Sequence, residues 1–436
     1  MVVMKFGGTS VQDASALQRV ANIITSHART GEFVLAVLSA TSGTTNALLR
    51  IARDAGRAVD VTADIDQIEA RHRQILSELS PTSAHNSVDV IIGELRTYVH
   101  ALRVLGECTD ESLDHMASFG ERLSTTILHQ YLAASDVGAR YLDARTVIAT
   151  SNEFVSARVE METTTKQCLS TIPPMFDKNS VVITQGFIGA TSDGRTTTLG
   201  RGGSDFSAAL FGAALQAREI RIYTDVSGVY TADPRLVPDA FPIRELSFSE
   251  VRELALYGAK VLHPDTIAPA VDASVPVIVL NTFRPEDPGT RIVAHAPSDA
   301  HIHAVSLVRP CMMVVCSSAA ATQLCNNAVL ADKRILESHT LETAMLVFSL
   351  PTDESSVALH VACATLDCSV DKVALIATSG PSVTSPSVLS SVVDSLRGIP
   401  TVSTVAGAAR HTMFTVVPEE AAEQAVRSVH TLIRRP

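Results

Sequence analysis

The chain has 436 residues, 46% of them hydrophobic and 19% charged, with a formal net charge of −11 at neutral pH. That length exceeds one core of ordinary size and predicts two or three domains. The acidic balance, without any basic run, excludes nucleic acid and anionic membrane surfaces as partners. No apolar window reaches the length of a membrane span, and the first strand begins at residue 2 without a charged and apolar leader, so a cytoplasmic protein is expected. The seven cysteines, Cys108, Cys168, Cys311, Cys316, Cys325, Cys363 and Cys368, include no C-x-x-C pair and are an odd number. They read as reduced thiols. Neither His72 nor the pair His301 and His303 has partners at zinc spacing, so no protein-held metal is expected.

In chain order, Val2, Val3 and Met4 form a short apolar strand that runs into Lys5-Phe6-Gly7-Gly8-Thr9-Ser10. A lysine at a strand end followed by two glycines suits a phosphate cradle, because glycine lets backbone N–H groups approach oxyanions that the ammonium neutralises. It is not a P-loop of the Walker type, which places the lysine after the glycines. Thr9 and Ser10 are expected to start and cap the following helix.

The runs at 33–38, 181–189, 219–224 and 276–281 are short, rich in Val and Ile, and end in small polar residues. They predict buried parallel strands whose carboxyl ends open onto a ligand crevice. Ile68, Ile75, Leu76 and Leu79 recur at helical spacing, and 87–104 and 110–133 continue in that style, giving a helical excursion at about 60–133. The fold class expected for residues 1–283 is an open αβα sandwich. Within it, Gly194 to Asp205 (GRTTTLGRGGSD) concentrates guanidinium groups, hydroxyls, glycines and a carboxylate, the mixture of an active-site loop. A polar, helix-breaking passage from Arg284 to about residue 303 reads as a linker. Beyond it, runs at 304–316, 343–350, 372–378, 401–406 and 413–417 alternate with helical patterns, including 387–396 and a terminal helix from Glu419. Two ferredoxin-like βαββαβ units would absorb these elements in a second region, 304–436.

KFGGTSV at 5–11, LSATSGTTN at 38–46, FGERLST at 119–125, ITQGFIG at 183–189, the GRTTTLGRGGSD block, YTDVSGVYTADPR at 223–235 and YGAKVLHP at 257–264 occur in the order and spacing of the aspartokinases. The chain resembles that family of amino-acid kinases, in its monofunctional, lysine-sensitive form. The resemblance implies ATP-dependent phosphorylation of the L-aspartate β-carboxylate, the first step of the aspartate pathway, with Mg²⁺ carried on ATP. It also implies tandem ACT domains at 304–436, a homodimer formed through them, and an amino-acid effector. The second ACT unit matches the family pattern. The first departs from it, because Thr322-Gln323-Leu324-Cys325-Asn326-Asn327 stands where a glycine-aromatic helix start is usual. The chain reaches Pro436 without a second Rossmann-type module, so a fused homoserine dehydrogenase is not expected.

Residue by residue, Lys5 is expected to stabilise charge on the transferring phosphoryl group, with Gly7 and Gly8 closing on the β- and γ-phosphates. Both Arg195 and Arg201 offer a fork for the substrate α-carboxylate; the resemblance selects Arg201, with Ser204 beside it. It further implies Glu121 as the partner of the α-ammonium, Ser39 and Thr45 beside the β-carboxylate, and Asp205 holding Lys5 or the ammonium. No general base is needed, because the nucleophile is already an ionised carboxylate. Thr224, Asp225, Tyr230, Arg235, Gly258, Ala259 and Lys260 resemble the nucleotide pocket. Two alternatives stay open: an amino-acid-sensing regulatory subunit that has lost turnover, and a related kinase acting on another amino acid.

Overall fold

The structure, a computed structural model, describes every residue except 81–85, 136, 178–179, 259–261, 263, 297–300, 328, 331–332, 340–342, 351 and 434–436. Strands β1 (Val2–Phe6) and β2 (Val34–Leu38) are buried at every position, as central parallel strands are when covered on both faces. Between them runs α1 (Ala14–Arg29), which turns Leu17, Val20, Ala21, Ile24 and Ala28 inward. Its cap is Asp13, whose side chain accepts the Ala16 N–H at 2.8 Å. Thr9 and Ser10 therefore do not start this helix; they lie in a single 3₁₀ turn, Gly8–Val11, left between strand and helix.

The helical excursion appears as α2 (Thr44–Ala55), α3 (Thr62–Leu79), α4 (Asn86–Leu105) and α5 (Asp110–Ala133). Then follow β3 (Gly138–Leu142), α6 (Met161–Thr171), β4 (Ser180–Gln185), β5 (Ile188–Ala190), β6 (Thr196–Thr198), α7 (Gly203–Ala214) and β7 (Glu219–Thr224). The run expected as one strand at 181–189 breaks at Gly186, because β5 leaves the main sheet to pair with β6.

After β7 the chain contributes β8 (Glu245–Ser247) and α8 (Phe248–Leu256) to a second compact unit. It then returns through α9 (Ala268–Asp272), β9 (Val277–Asn281) and β10 (Thr290–Val293). The first unit is thus Met1–Gly228 with Leu262–Ala294, and the second Val229–Val261 with His295–Pro436. Strand order in the first is β3-β4-β2-β1-β7-β9-β10. From β3 to β9 the pairings are parallel, so the carboxyl ends of β1, β2, β4 and β7 share one edge. The order reverses at β1, where ligand crevices of open α/β sheets form. The passage read as a linker from 284 carries β10, which pairs antiparallel with β9 and buries Thr290 and Ile292. A turn through Gly289 returns the chain alongside β9, so its apolar residues are used as an edge strand.

In the second unit come β11 (Ala304–Ser317), α10 (Ser318–Cys325), β12 (Arg334–His339), β13 (Thr343–Ser349), α11 (Asp353–Ala364), β14 (Cys368–Ser379), α12 (Pro386–Ser395), β15 (Ser403–Val405), β16 (Thr412–Pro418) and α13 (Ala422–His430). They form one antiparallel sheet in the order β12-β13-β11-β14-β16-β15. Two ferredoxin-like arrangements are fused in it. The later half of β11 and the earlier half of β14 complete one with β12 and β13. The other uses the later half of β14 with β15 and β16, and takes the earlier half of β11 as its remaining strand. The register shift between Val308 and Cys311 marks the change of role, at Pro310, which has no N–H for the ladder. Met312, Val314 and Cys316 face α10 and α11, whereas Ala374 and Ile376 face α12 and α13. The opposite face is apolar too, and Tyr257 packs edge-on against Phe414 there, with ring centroids 4.7 Å apart.

Candidate active site

At the shared carboxyl edge of the first unit's sheet lies a cavity of about 550 Å³. Lys5 enters it from β1, Ser39 from the end of β2, Thr224 from the end of β7 and Glu121 from the middle of α5. The amino ends of two helices also open onto it. Gly43 precedes α2 at φ 82° and Gly202 precedes α7 at φ 73°, a left-handed turn that glycine makes without strain. At Gly202 a Cβ would also fall 2.5 Å from the Thr266 side chain. Helix amino ends carry unpaired N–H groups and partial positive charge, so the cavity is built for anions.

Lys5 is buried, and its Nζ stands 2.6 Å from Asp205 Oδ1. Asp205 sits in the first turn of α7, where a carboxylate is favoured by the helix dipole. The pair fixes the ammonium at the sheet edge. Gly8 leaves little room for a side chain, because a Cβ there would meet the Ala40 carbonyl oxygen at 3.1 Å.

Glu121 is buried deeper. Gly120 lets α5 touch the exit of β2, since a Cβ would sit 2.8 Å from that of Ala40. Glu121 Oε1 then accepts the Ala40 N–H at 3.2 Å, and Ser124 Oγ donates to the Ser39 carbonyl at 2.8 Å. The other oxygen, Oε2, is buried with no hydrogen-bond partner. Burial pushes the Glu121 carboxyl up to about 8, against the smaller opposing effect of the Ala40 N–H. A buried carboxylate with an orphaned oxygen facing a cavity is suited to a cationic group that enters with a ligand.

The cavity lining brings together Lys5, Gly7, Gly8, Ser39, Thr45, Glu121, Arg201, Ser204, Asp205 and Thr224. Arg201 is exposed at the rim and makes no ion pair among the described residues, whereas Arg195, its competitor, is engaged by Asp193 and Glu111. Asp225 follows Thr224, is exposed, and accepts from its hydroxyl at 3.0 Å. Tyr230, Arg235 and Gly258 lie in the second unit. Arg235 is held there by Asp233, with Nη2 to Oδ2 at 2.5 Å, and Gly258 takes φ 93° against the Leu307 carbonyl. Ala259 and Lys260 lie outside the described residues.

Sequence reading passed over Thr41, Ser42, Asn46 and Phe187, which also line the cavity. The signal for the first three was the density of Ser, Thr and Gly in the 38–46 block. His72, set aside as a metal ligand, lies fully buried behind them. Its Nδ1 donates to the Ile68 carbonyl at 2.7 Å, which leaves Nε2 as acceptor for the Thr41 hydroxyl at 3.3 Å. Burial holds the ring down at about 4, so it is neutral. Among the described residues no group of three His, Cys, Asp or Glu side chains is arranged to hold a metal, and no helix is long and apolar enough to cross a membrane.

A doubly covered parallel sheet with a cation–carboxylate pair and two helix amino ends at one edge defines an anion-handling α/β protein. The family description "Amino acid kinase family" matches residues 1–281. The chain is 36% identical over 367 residues to lysine-sensitive aspartokinase 3 of Escherichia coli, covering 82% of this chain and 78% of that one. Against the aspartokinase of Chlamydia muridarum it is 38% identical over 294 residues, 67% of this chain and 63% of the relative. The crystal structure of Escherichia coli aspartokinase III with lysine and aspartate (T-state) superposes with a TM-score of 0.84 at 31% identity over 100% of both chains. For the complex with aspartate and ADP (R-state) the TM-score is 0.77 at 30% identity, over 99% of both. The chain belongs to the aspartokinases of the amino acid kinase family.

Arg201→Lys is expected to raise the aspartate KM by about 10–100-fold with a smaller change in kcat, because an ammonium cannot reproduce a bidentate fork. Steady-state kinetics in both substrates check this. Equal losses for ATP and aspartate would remove Arg201 from the carboxylate.

Proposed function

We propose that the protein is an aspartate kinase that transfers the γ-phosphoryl group of ATP to the β-carboxylate of L-aspartate, giving 4-phospho-L-aspartate and ADP. The observation that carries this reading is one cavity holding the Lys5–Asp205 pair at a strand end and the unpartnered carboxylate oxygen of Glu121. Glu121 takes the α-ammonium and Arg201 the α-carboxylate, leaving the β-carboxylate beside Ser39 and Thr45. Lys5, kept in place by Asp205, faces the phosphoryl group, where negative charge accumulates on the equatorial oxygens. Gly7 and Gly8 admit the phosphates, and the amino ends of α2 and α7 add positive potential. Thr224 and Asp225, at the carboxyl end of β7, are assigned to the nucleotide.

Mg²⁺ fits as an ion carried on the nucleotide, since the cavity offers Asp205 and hydroxyl groups rather than a cage of carboxylates. It would supply neutralisation of the β- and γ-phosphate charge. Residues 1–283 form the kinase region in this reading and 304–436 the ACT region. A cytoplasmic homodimer associated through the latter completes it.

A coupled ADP-release assay comparing aspartate, glutamate and acetylglutamate tests the reading. Turnover with aspartate alone is expected. No turnover with any of them would favour the sensor reading, and preference for another acceptor would assign a different kinase activity. In the same assay lysine, threonine and methionine are expected to change the rate little at concentrations near the aspartate KM. The segment Thr322–Asn327, mostly within and just beyond α10, lacks the glycine-aromatic pattern that would distinguish two states by their affinity for an effector. Steep inhibition by lysine at low concentration would show that a working effector site is present.

A further inference from the structure

Outside the cavity, a set of cysteines gathers in the second unit. Cys316 and Cys368 stand directly opposite each other on the antiparallel strands β11 and β14. Their side chains therefore leave the same face of the sheet, and opposed Cα atoms in such a ladder lie roughly 4.5–5.5 Å apart, within the span of a disulfide. Cys363, near the end of α11, closes on the same place: Cys316, Cys363 and Cys368 pack into one cluster, and the Cys368 sulfur acts on the thiols of both others. All three belong to the apolar layer between the sheet and helices α10 and α11, and all are free thiols.

Access separates their roles. Cys316 and Cys363 are buried, whereas Cys368 is half-exposed at the first position of β14. Burial, reinforced by the neighbouring Cys368 sulfur, pushes the Cys316 thiol up to about 11 and that of Cys363 up to about 12. A reagent from solution meets Cys368 first, with a partner thiol already in place behind it. Cys316 is the better-placed partner because the ladder pairs that run up to it, from Cys311 with Val373 to Val315 with Ser369, fix its register with β14. Cys363 sits on a helix whose distance from the strand is set by side-chain packing alone.

We propose that Cys316 and Cys368 form a thiol–disulfide exchange site, closed reversibly by a low-molecular-weight disulfide. The Cys368 thiol gives its proton to water and attacks one sulfur of the reagent, whose S–S bond breaks. One thiolate departs and takes up a proton, leaving a mixed disulfide on Cys368. Cys316 then loses its proton, attacks the Cys368 sulfur and expels the second thiolate, which is protonated in turn. Two protein thiols are oxidised to one disulfide and the reagent is reduced to two thiols. The bond would tie β11 to the start of β14 in the ferredoxin-like half that departs most from the family pattern. In a reducing compartment such a bond is transient and reports the thiol–disulfide balance.

The test uses the full-length protein, folded, with glutathione disulfide as the probe, followed by alkylation of remaining thiols, intact mass and peptide mapping. The expected result is a loss of about 2 Da before alkylation, for two hydrogens, and a pair of missing alkyl adducts after it, with Cys316 linked to Cys368 and both restored by dithiothreitol. Cys316→Ser should stop at a glutathione adduct on Cys368, while Cys363→Ser should still close the bond. A Cys363–Cys368 link, a persistent adduct in the unsubstituted protein, no reaction, or closure only in denaturant would each overturn the proposal.

Discussion

Lys5→Ala is expected to lower kcat by about 10²–10³-fold, roughly 3–4 kcal/mol of transition-state stabilisation, with less than about a tenfold change in the aspartate KM. The size follows from position. The ammonium is buried at the end of a central strand and held 2.6 Å from Asp205, so its charge is fixed before the phosphoryl group arrives and needs no reorganisation during transfer. Preorganised charge of this kind acts on the transition state more than on the bound substrate.

Removing the ammonium also leaves the Asp205 carboxylate unpaired in a cavity that must admit phosphates. The ATP KM should therefore rise in Lys5→Ala, and Asp205→Asn should cost less activity in that background than in the unsubstituted enzyme. A double-mutant cycle over kcat/KM for ATP reads this coupling. An unchanged kcat in Lys5→Ala removes the lysine from the mechanism. Full additivity would mean that Asp205 acts independently of it.

Lys5, Gly7 and Gly8 could be read from the sequence because the requirement is local: a cation and two side-chain-free peptides must follow a strand directly. The same holds for Gly202 before α7. Glu121 was readable as part of a block, and the structure supplies the physical reason for its neighbours. Gly120 permits the approach to Ala40 and Ser124 anchors it to Ser39. His72 was not readable as a support of the cavity, because its link to Thr41 spans 31 positions and depends on how α3 packs. In the second unit the alternation of short strands and helices was plain. The fusion into one sheet was not, since it depends on β11 and β14 each serving two arrangements. Composition does not show which half of a long apolar run meets which partner. The edge strand β10 was hidden for a related reason: Pro285, Pro288 and Gly289 dominate the local signal, while its pairing is decided by the exposed edge of β9.

Glu121→Gln is expected to weaken aspartate binding by about 100-fold while leaving ATP binding nearly unchanged, because the amide keeps the shape and the Ala40 contact but loses the charge that pairs the α-ammonium. Protons give a second readout. In the unliganded protein burial raises the carboxyl from 4.5 to about 8. At neutral pH it is therefore largely protonated, and pairing with an ammonium must expel that proton. Aspartate affinity should rise with pH up to about 8 and then level off, with release of nearly one proton on binding near neutrality. Titration calorimetry in two buffers of different ionisation enthalpy measures that release directly. In Glu121→Gln both the release and this part of the pH dependence should vanish. The linkage has a definite sign for stability as well. A folded-state value above the unfolded one means that the folded chain holds the proton longer, so stability falls as pH rises from about 4.5 to about 8. The Gln variant should escape that fall and match or exceed the unsubstituted protein in Tm at the upper end of the range when no ligand is present. If ATP and aspartate binding fell together and Tm dropped at every pH, Glu121 would be a packing residue of α5 rather than the partner of the ammonium.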